Sequence, residues 1–143
     1  MENKNAKIIN NLMIVTIVLC IVNMINGFLD KSELNKAINN MINTFKDLNV
    51  TMTPEMEQTM HNSASISYSI TLVSNFFPLF CYALMYIKYF KQEKITKRTT
   101  KIFFGFGIYF MIASLGSGIF QLSLTAVLIA IVVLLNNLRK EFN

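Results

Sequence analysis

The chain has 143 residues, 53% of them hydrophobic and 15% charged, with a formal net charge of +5 and a mean hydropathy of +0.45. It is more apolar and less charged than an ordinary water-soluble domain, which excludes a disordered or heavily solvated chain. The apolar residues gather in long blocks, and such blocks read as membrane spans.

The first block, Ile8 to Phe28, is 21 residues without a charge. At ~1.5 Å per residue it covers a hydrocarbon core of ~30 Å. The run is too long for a signal-peptide core and no small-x-small cleavage site follows it, so residues 8–28 read as an uncleaved first span.

Residues 29–65 read as a helical outer segment. Asp30 and Glu33 have capping-box spacing, and Leu34, Ile38, Met41, Phe45 and Leu48 follow at intervals of three or four. That pattern predicts an amphipathic helix from Lys31 to Leu48, whose apolar face needs the ends of the spans, lipid head groups or a partner protein to cover it. Thr53 and Pro54 then form an N-cap followed by proline at the first helical position, so a second helix is expected to run directly into the second span.

The second span, residues 66–89, has Pro78 in its middle, which predicts a kink. It ends in Tyr86, Lys88, Tyr89 and Lys91, the aromatic and snorkelling residues of a membrane boundary. Beyond a basic loop, 90–101, Ile102 to Leu138 are 37 residues without a charge. As one helix they would be ~55 Å long, too much for one crossing. Two spans are expected, 102–117 and 119–138, broken at Leu115-Gly116-Ser117-Gly118, with 139–143 as a tail.

Residues 1–7 carry +1, 30–61 carry −2, 88–101 carry +5 and 139–143 carry +1. Lys88, Lys91, Lys94, Lys97, Arg98 and Lys101 crowd one short segment, and the positive-inside rule puts that segment in the cytoplasm. Four spans then bring both termini to the same side. The same side chains attract anionic lipid. No aromatic residues interleave them for base stacking, so no nucleic-acid partner is expected. The expected fold is all-α: a single four-helix membrane bundle over residues 1–143, N-in and C-in, in a cell membrane.

The sequence is poor in chemistry. Met56, Met60 and His61, on the outer side, are a soft-metal candidate of the Cu(I) type, but Met is also an ordinary gap-filling residue. With one histidine no zinc cage can be built, and Cys20 and Cys81 sit singly in apolar runs. No phosphate-binding loop, nucleophile elbow or dinucleotide fingerprint occurs; Gly105-Phe106-Gly107 is better explained by close helix packing. No catalytic residue, cofactor or metal is therefore assigned, and the expected class is non-enzymatic. Small four-span drug exporters match this chain in length, but they carry a carboxylate inside the first span, and here no span holds Asp or Glu, the one basic residue within them being Lys88 at the boundary of the second.

What the spans do hold is neutral and small. Asn23 and Asn26 lie three apart near the end of the first span, and Ser67, Thr71 and Ser74 punctuate the second. Ser114 and Gly118 have the small-xxx-small spacing that lets helices approach closely. These are the candidate packing or interaction residues. The partners expected are the lipid bilayer and either another membrane protein or a second copy.

Asn, Ile and Lys number 16, 18 and 11, a bias towards AT-rich codons. Together with one long outer loop, a Lys-rich inner loop, a Gly/Ser hairpin and a terminal Arg139-Lys140, the chain resembles the small four-span integral membrane proteins of unknown function from low-GC Gram-positive bacteria. The resemblance is one of architecture over the whole length, without a specific motif. It implies an accessory, regulatory or immunity-type membrane subunit; the alternative is a small homo-oligomeric channel, exporter or holin-like permeability factor.

Overall fold

The computed structural model describes residues 3–115 and 119–142, and every regular element among them is helical. In chain order these are α1 (Lys4–Leu29), α2 (Ser32–Asp47), α3 (Pro54–Lys91), α4 (Lys97–Ala113) and α5 (Ile119–Glu141). The chain is all-α, and the stretches Lys4–Asp47, Pro54–Lys91 and Gln121–Glu141 are long and apolar enough to cross a membrane. α4, at 17 residues, is shorter.

The chain divides into two compact units, one formed by the residues up to Asn23 with those from Phe76 onward, the other by Met24–Asn75. In the first unit each helix buries one narrow stripe. α1 buries Ala6, Ile9, Met13, Thr16 and Cys20; α5 buries Leu124, Leu128, Ile131, Leu135 and Leu138. Both stripes advance by three or four residues, the spacing that keeps one face of a helix on a neighbour. The opposite faces are apolar as well and stay exposed: Val15, Val18 and Ile21 on α1, Leu84 and Met85 on α3, Ile129 and Val133 on α5. Helices apolar on both sides need lipid or protein around them.

α4 and α5 form an antiparallel hairpin. Phe104 meets Arg139, whose guanidinium lies 4.5 Å from the ring centroid; Gly107 faces Val132 and Leu135; Ser114 reaches Thr125 at 3.1 Å. Positions rise on one helix as they fall on the other. The expected third span runs to residue 117, but α4 ends at Ala113 because Ser114 caps it. The Ser114 N–H donates to the Phe110 carbonyl, its hydroxyl to Met111, and its own carbonyl accepts from Thr125 Oγ1 at 3.0 Å and from the Gln121 amide. The glycine turn expected at Gly116 and Gly118 lies outside the described residues.

α3 is tied to α4 and α1 through two tyrosines four residues apart. Tyr82 donates its hydroxyl to the Phe103 carbonyl of α4 at 2.7 Å, and Tyr86 donates to the Ala6 carbonyl of α1 at 2.9 Å. Both hydroxyls are thereby satisfied inside an apolar core, where leaving them unpaired is costly.

The second unit contains an antiparallel pair of α2 with the first half of α3. Lys31 donates to Ser65 at 2.9 Å, Asn39 meets His61 at 3.2 Å, and Lys46 pairs with Glu57 at 2.7 Å. The turn between them is closed by a Schellman arrangement. Val50 N–H donates to Phe45, Asn49 N–H donates to Lys46, and Asn49 takes the left-handed conformation with φ 61° that asparagine tolerates. α3 starts as its sequence predicts, with Thr53 Oγ1 accepting from the Met56 N–H at 3.2 Å, and it contains Pro78 within its length.

The capping box expected at Asp30 and Glu33 does not form. α2 begins at Ser32, one residue later than predicted, with Lys31 at the cap position and no side-chain cap bond. Asp30 instead accepts from the Ser32 hydroxyl at 2.7 Å and from its N–H at 3.3 Å, closing a local turn ahead of the helix. The amphipathic face of α2 is only partly covered: Ile38 and Ile42 are buried, whereas Met41, Phe45 and Leu48 are exposed.

Candidate functional site

One end of the first unit collects its charge. Lys88 and Lys91 lie in the last turns of α3, Lys94 in the following link, and Lys97, Arg98 and Lys101 in the first turns of α4; all six are exposed. The link is structured. A second Schellman closure ends α3, with Lys94 N–H donating to Tyr89, Glu93 N–H donating to Phe90, and Glu93 at φ 54°. Thr96 and Thr99 then make a capping box, each backbone N–H bonded to the other's hydroxyl.

Lys88 and Lys91 complement the carbonyl end of α3. Lys97 and Arg98 do the opposite at the start of α4, where the helix dipole disfavours cations. Among the described residues none of the six basic side chains forms an ion pair. The two chain ends meet at this same end of the unit: Asn3 and Asn5 donate their amides to the Glu141 carboxylate, and Tyr86 anchors α3 to Ala6.

The small polar candidates part into two groups. Ser114 is buried in the α4–α5 contact with Thr125 and Gln121, and so belongs to packing within the chain. Asn23 donates its amide to the Leu19 carbonyl one turn back, at 2.8 Å. Thr16 and Thr100 use the same device, on Leu12 and Thr96. Gly118 lies outside the described residues.

By contrast, Ser67, Thr71 and Ser74 are all exposed on one face of α3, at spacings of four and three. Thr71 donates to the Ser67 carbonyl at 2.9 Å, while the hydroxyls of Ser67 and Ser74 and the amide of the adjoining Asn75 make no hydrogen bond among the described residues. Ile66, Ile70 and Val73 flank them and are exposed too, 62, 61 and 37% respectively. Asn26 is exposed, its side chain likewise without a bond.

The soft-metal candidates all lie near the start of α3. Met56 is exposed and Met60 half-buried, while His61 Nε2 is engaged with Asn39 Oδ1. No group of three His, Cys, Asp or Glu side chains with metal-holding geometry exists among the described residues. Cys20 is buried, Cys81 half-buried, and both are free thiols.

Sequence spacing did not single out the tyrosine bonds, the Thr96–Thr99 box or the Ser114–Gln121–Thr125 cluster. Thr96-x-x-Thr99 is a readable variant of the capping signal, and Tyr82 with Tyr86 at helical spacing is a readable pair; the carbonyls they reach are not. No family model, curated protein or solved structure matches the chain.

Proposed function

We propose that the chain is a non-enzymatic membrane protein of four spans, with both termini and the 90–101 loop in the cytoplasm, and that it serves as an accessory subunit holding another membrane protein through the Ser67, Thr71, Ser74 and Asn75 face of α3. The four-span reading is supported by the antiparallel α4–α5 hairpin. α5 alone is long enough to cross, and α4 returns beside it; its 17 residues reach ~25 Å, with Lys97, Arg98 and Lys101 free to snorkel. The basic loop and both chain ends share one end of the first unit, as an even number of crossings requires.

The observation that carries the interaction reading is the unpaired Ser74–Asn75 pair. These residues are the ninth and tenth of the apolar stretch 66–89, ~12 Å in from its edge by helix rise. An amide left without a partner in hydrocarbon costs about 4–8 kcal/mol. A neighbouring helix offering a bond relieves much of that cost, and small residues let it come close. Thr16, Asn23 and Thr100, and Thr71 on this face, bond a carbonyl one turn back, whereas Ser67, Ser74 and Asn75 make no such bond.

The test is a photo-crosslinking residue placed at Ser74, with Val133 of α5 as an exposed apolar control, in the native membrane. The reading expects an adduct with one different membrane protein from position 74 and not from 133, lost in Asn75→Leu. An adduct only with a second copy of this chain would move the homo-oligomeric channel or exporter to first place. Equal labelling at both positions would refute a specific face.

A further inference from the structure

The exposed side of α4 carries a shallow, open groove of about 400 Å³ lined by Lys101, Ile102, Gly105, Phe106 and Tyr109 of this one helix. Positions three and four apart follow one another on one helix face, so the groove runs along the helix for roughly 12 Å. Its floor is Gly105, where a Cβ would meet no atom within 4 Å. Its walls are Ile102, Phe106 and Tyr109, exposed by 48, 55 and 64%. Lys101 closes one end, with Arg98 one turn earlier on the same face. Both cations are exposed and form no ion pair among the described residues.

An apolar trough with cations at one end fits a hydrocarbon chain joined to an anion. We propose that this groove seats one acyl chain of an anionic phospholipid of the cytoplasmic leaflet, with its phosphate held by Lys101 and Arg98. The assignment rests on the four-span reading, which sets Lys101 at the cytoplasmic boundary. The surrounding segment 88–101 carries +5 with Glu93 as its one acid. The N-terminus of α4 adds its own preference for an anion.

A second copy is the competing occupant, and charge argues against it. Two chains with the same membrane orientation related by a two-fold axis would bring Lys101 and Arg98 against their own counterparts. Like charges facing each other there would repel unless an anion lay between them. A phospholipid supplies that anion and the hydrocarbon at once.

The purified protein, equilibrated in detergent with either phosphatidylglycerol or phosphatidylcholine of the same acyl chains, is examined by native mass spectrometry. Selective retention of one phosphatidylglycerol is expected, weakened about fivefold by Lys101→Gln, as one membrane-proximal charge is worth, and abolished by Gly105→Leu. Gly105→Leu enters open space, so its unfolding curve should match or lie above that of the wild type and show that loss of lipid is not loss of fold. Equal retention of the two lipids overturns the site. So does retention that falls with Lys101→Gln yet ignores Gly105→Leu, because that is surface attraction without a groove. Alkaline extraction of native membranes separates this failure from a failure of the membrane reading: a protein released at high pH refutes the spans themselves, whereas one that stays while lipid selectivity is missing refutes only the lipid site.

Discussion

Gly105 and Gly107 are two residues apart on α4 and should respond in opposite ways to the same methyl group. Helix propensity favours alanine over glycine by up to ~1 kcal/mol at either position. At Gly105 nothing opposes that gain. At Gly107 the new Cβ would stand 3.1 Å from Tyr82 Oη and 3.2 Å from Val132 Cγ2, where carbon contacts are ordinarily comfortable at ~3.5–4.0 Å. Neither neighbour gives way easily. The Tyr82 hydroxyl is bonded to the Phe103 carbonyl at 2.7 Å, and its ring packs on Phe103 and Phe110 with centroids 5.6 and 5.1 Å away. Val132 is β-branched and stiff about χ1. Overpacking of this kind costs about 1–3 kcal/mol. After the propensity gain, Gly107→Ala should be destabilised by about 0–2 kcal/mol and Gly105→Ala unchanged or stabilised by up to ~1 kcal/mol, so that the two differ by about 1–3 kcal/mol. The chain has no tryptophan, so unfolding is followed by loss of helical circular dichroism in mixed micelles of increasing SDS content. Two alanine variants within ~0.5 kcal/mol of each other, below the scale of either effect, or a reversed order, would refute the packing of α4 against α3 and α5.

Removing one hydroxyl in Tyr86→Phe breaks the bond to Ala6 and should cost about 0.5–1.5 kcal/mol in the same assay; no change would mean that α1 is not anchored there. The Asp30 carboxyl is held below its ordinary value, first by the Ser32 hydroxyl, then by the Ser32 N–H. A depressed folded value means that this turn is stabilised above the unfolded carboxylate range and loosens as pH falls through the folded value. Ser32→Ala should therefore move the Asp30 titration upward, read from its carboxyl NMR shift, and an unmoved titration would discard the hydroxyl as the leading cause. In a Cys20→Ala, Cys81→Ala background, a membrane-impermeant maleimide should label Asn49→Cys on intact cells and label Thr96→Cys only after permeabilisation; the reverse pattern would invert the proposed topology.

The helices were legible because their signals are local. Apolar run length, Thr53 followed by Pro54, and the three-and-four spacing of Ile38 and Ile42 depend only on neighbours in sequence, and each meets its counterpart in the structure. Errors arose where two local devices compete for one residue. Asp30 has the spacing of a capping box, but a closer donor, Ser32, captures its carboxylate and shifts the start of α2. At the far end of α4 the long charge-free run gives no sign that the helix stops at Ala113. Gln121 and Thr125, arriving from the next helix, donate to the Ser114 carbonyl that another turn of α4 would otherwise use.

Small polar residues serve two ends in this chain, and spacing does not distinguish them. Ser114 and Ser67 are the same residue type in runs of similar polarity, yet one is buried against Thr125 and the other faces outward. What separates them is whether the chain returns a second helix to the same place. α5 does so for Ser114, because a short connection brings it back antiparallel. On α3 the bonds to other helices of the first unit come from Tyr82 and Tyr86, whereas Ser67, Ser74 and Asn75 gain none. A polar face that the fold leaves without a partner, on a helix apolar enough to cross a membrane, carries its cost in the isolated chain and loses it on association. If so, Ser74→Leu with Asn75→Leu should stabilise the purified protein while weakening its capture of a partner, a pairing of effects that a purely structural face would not give.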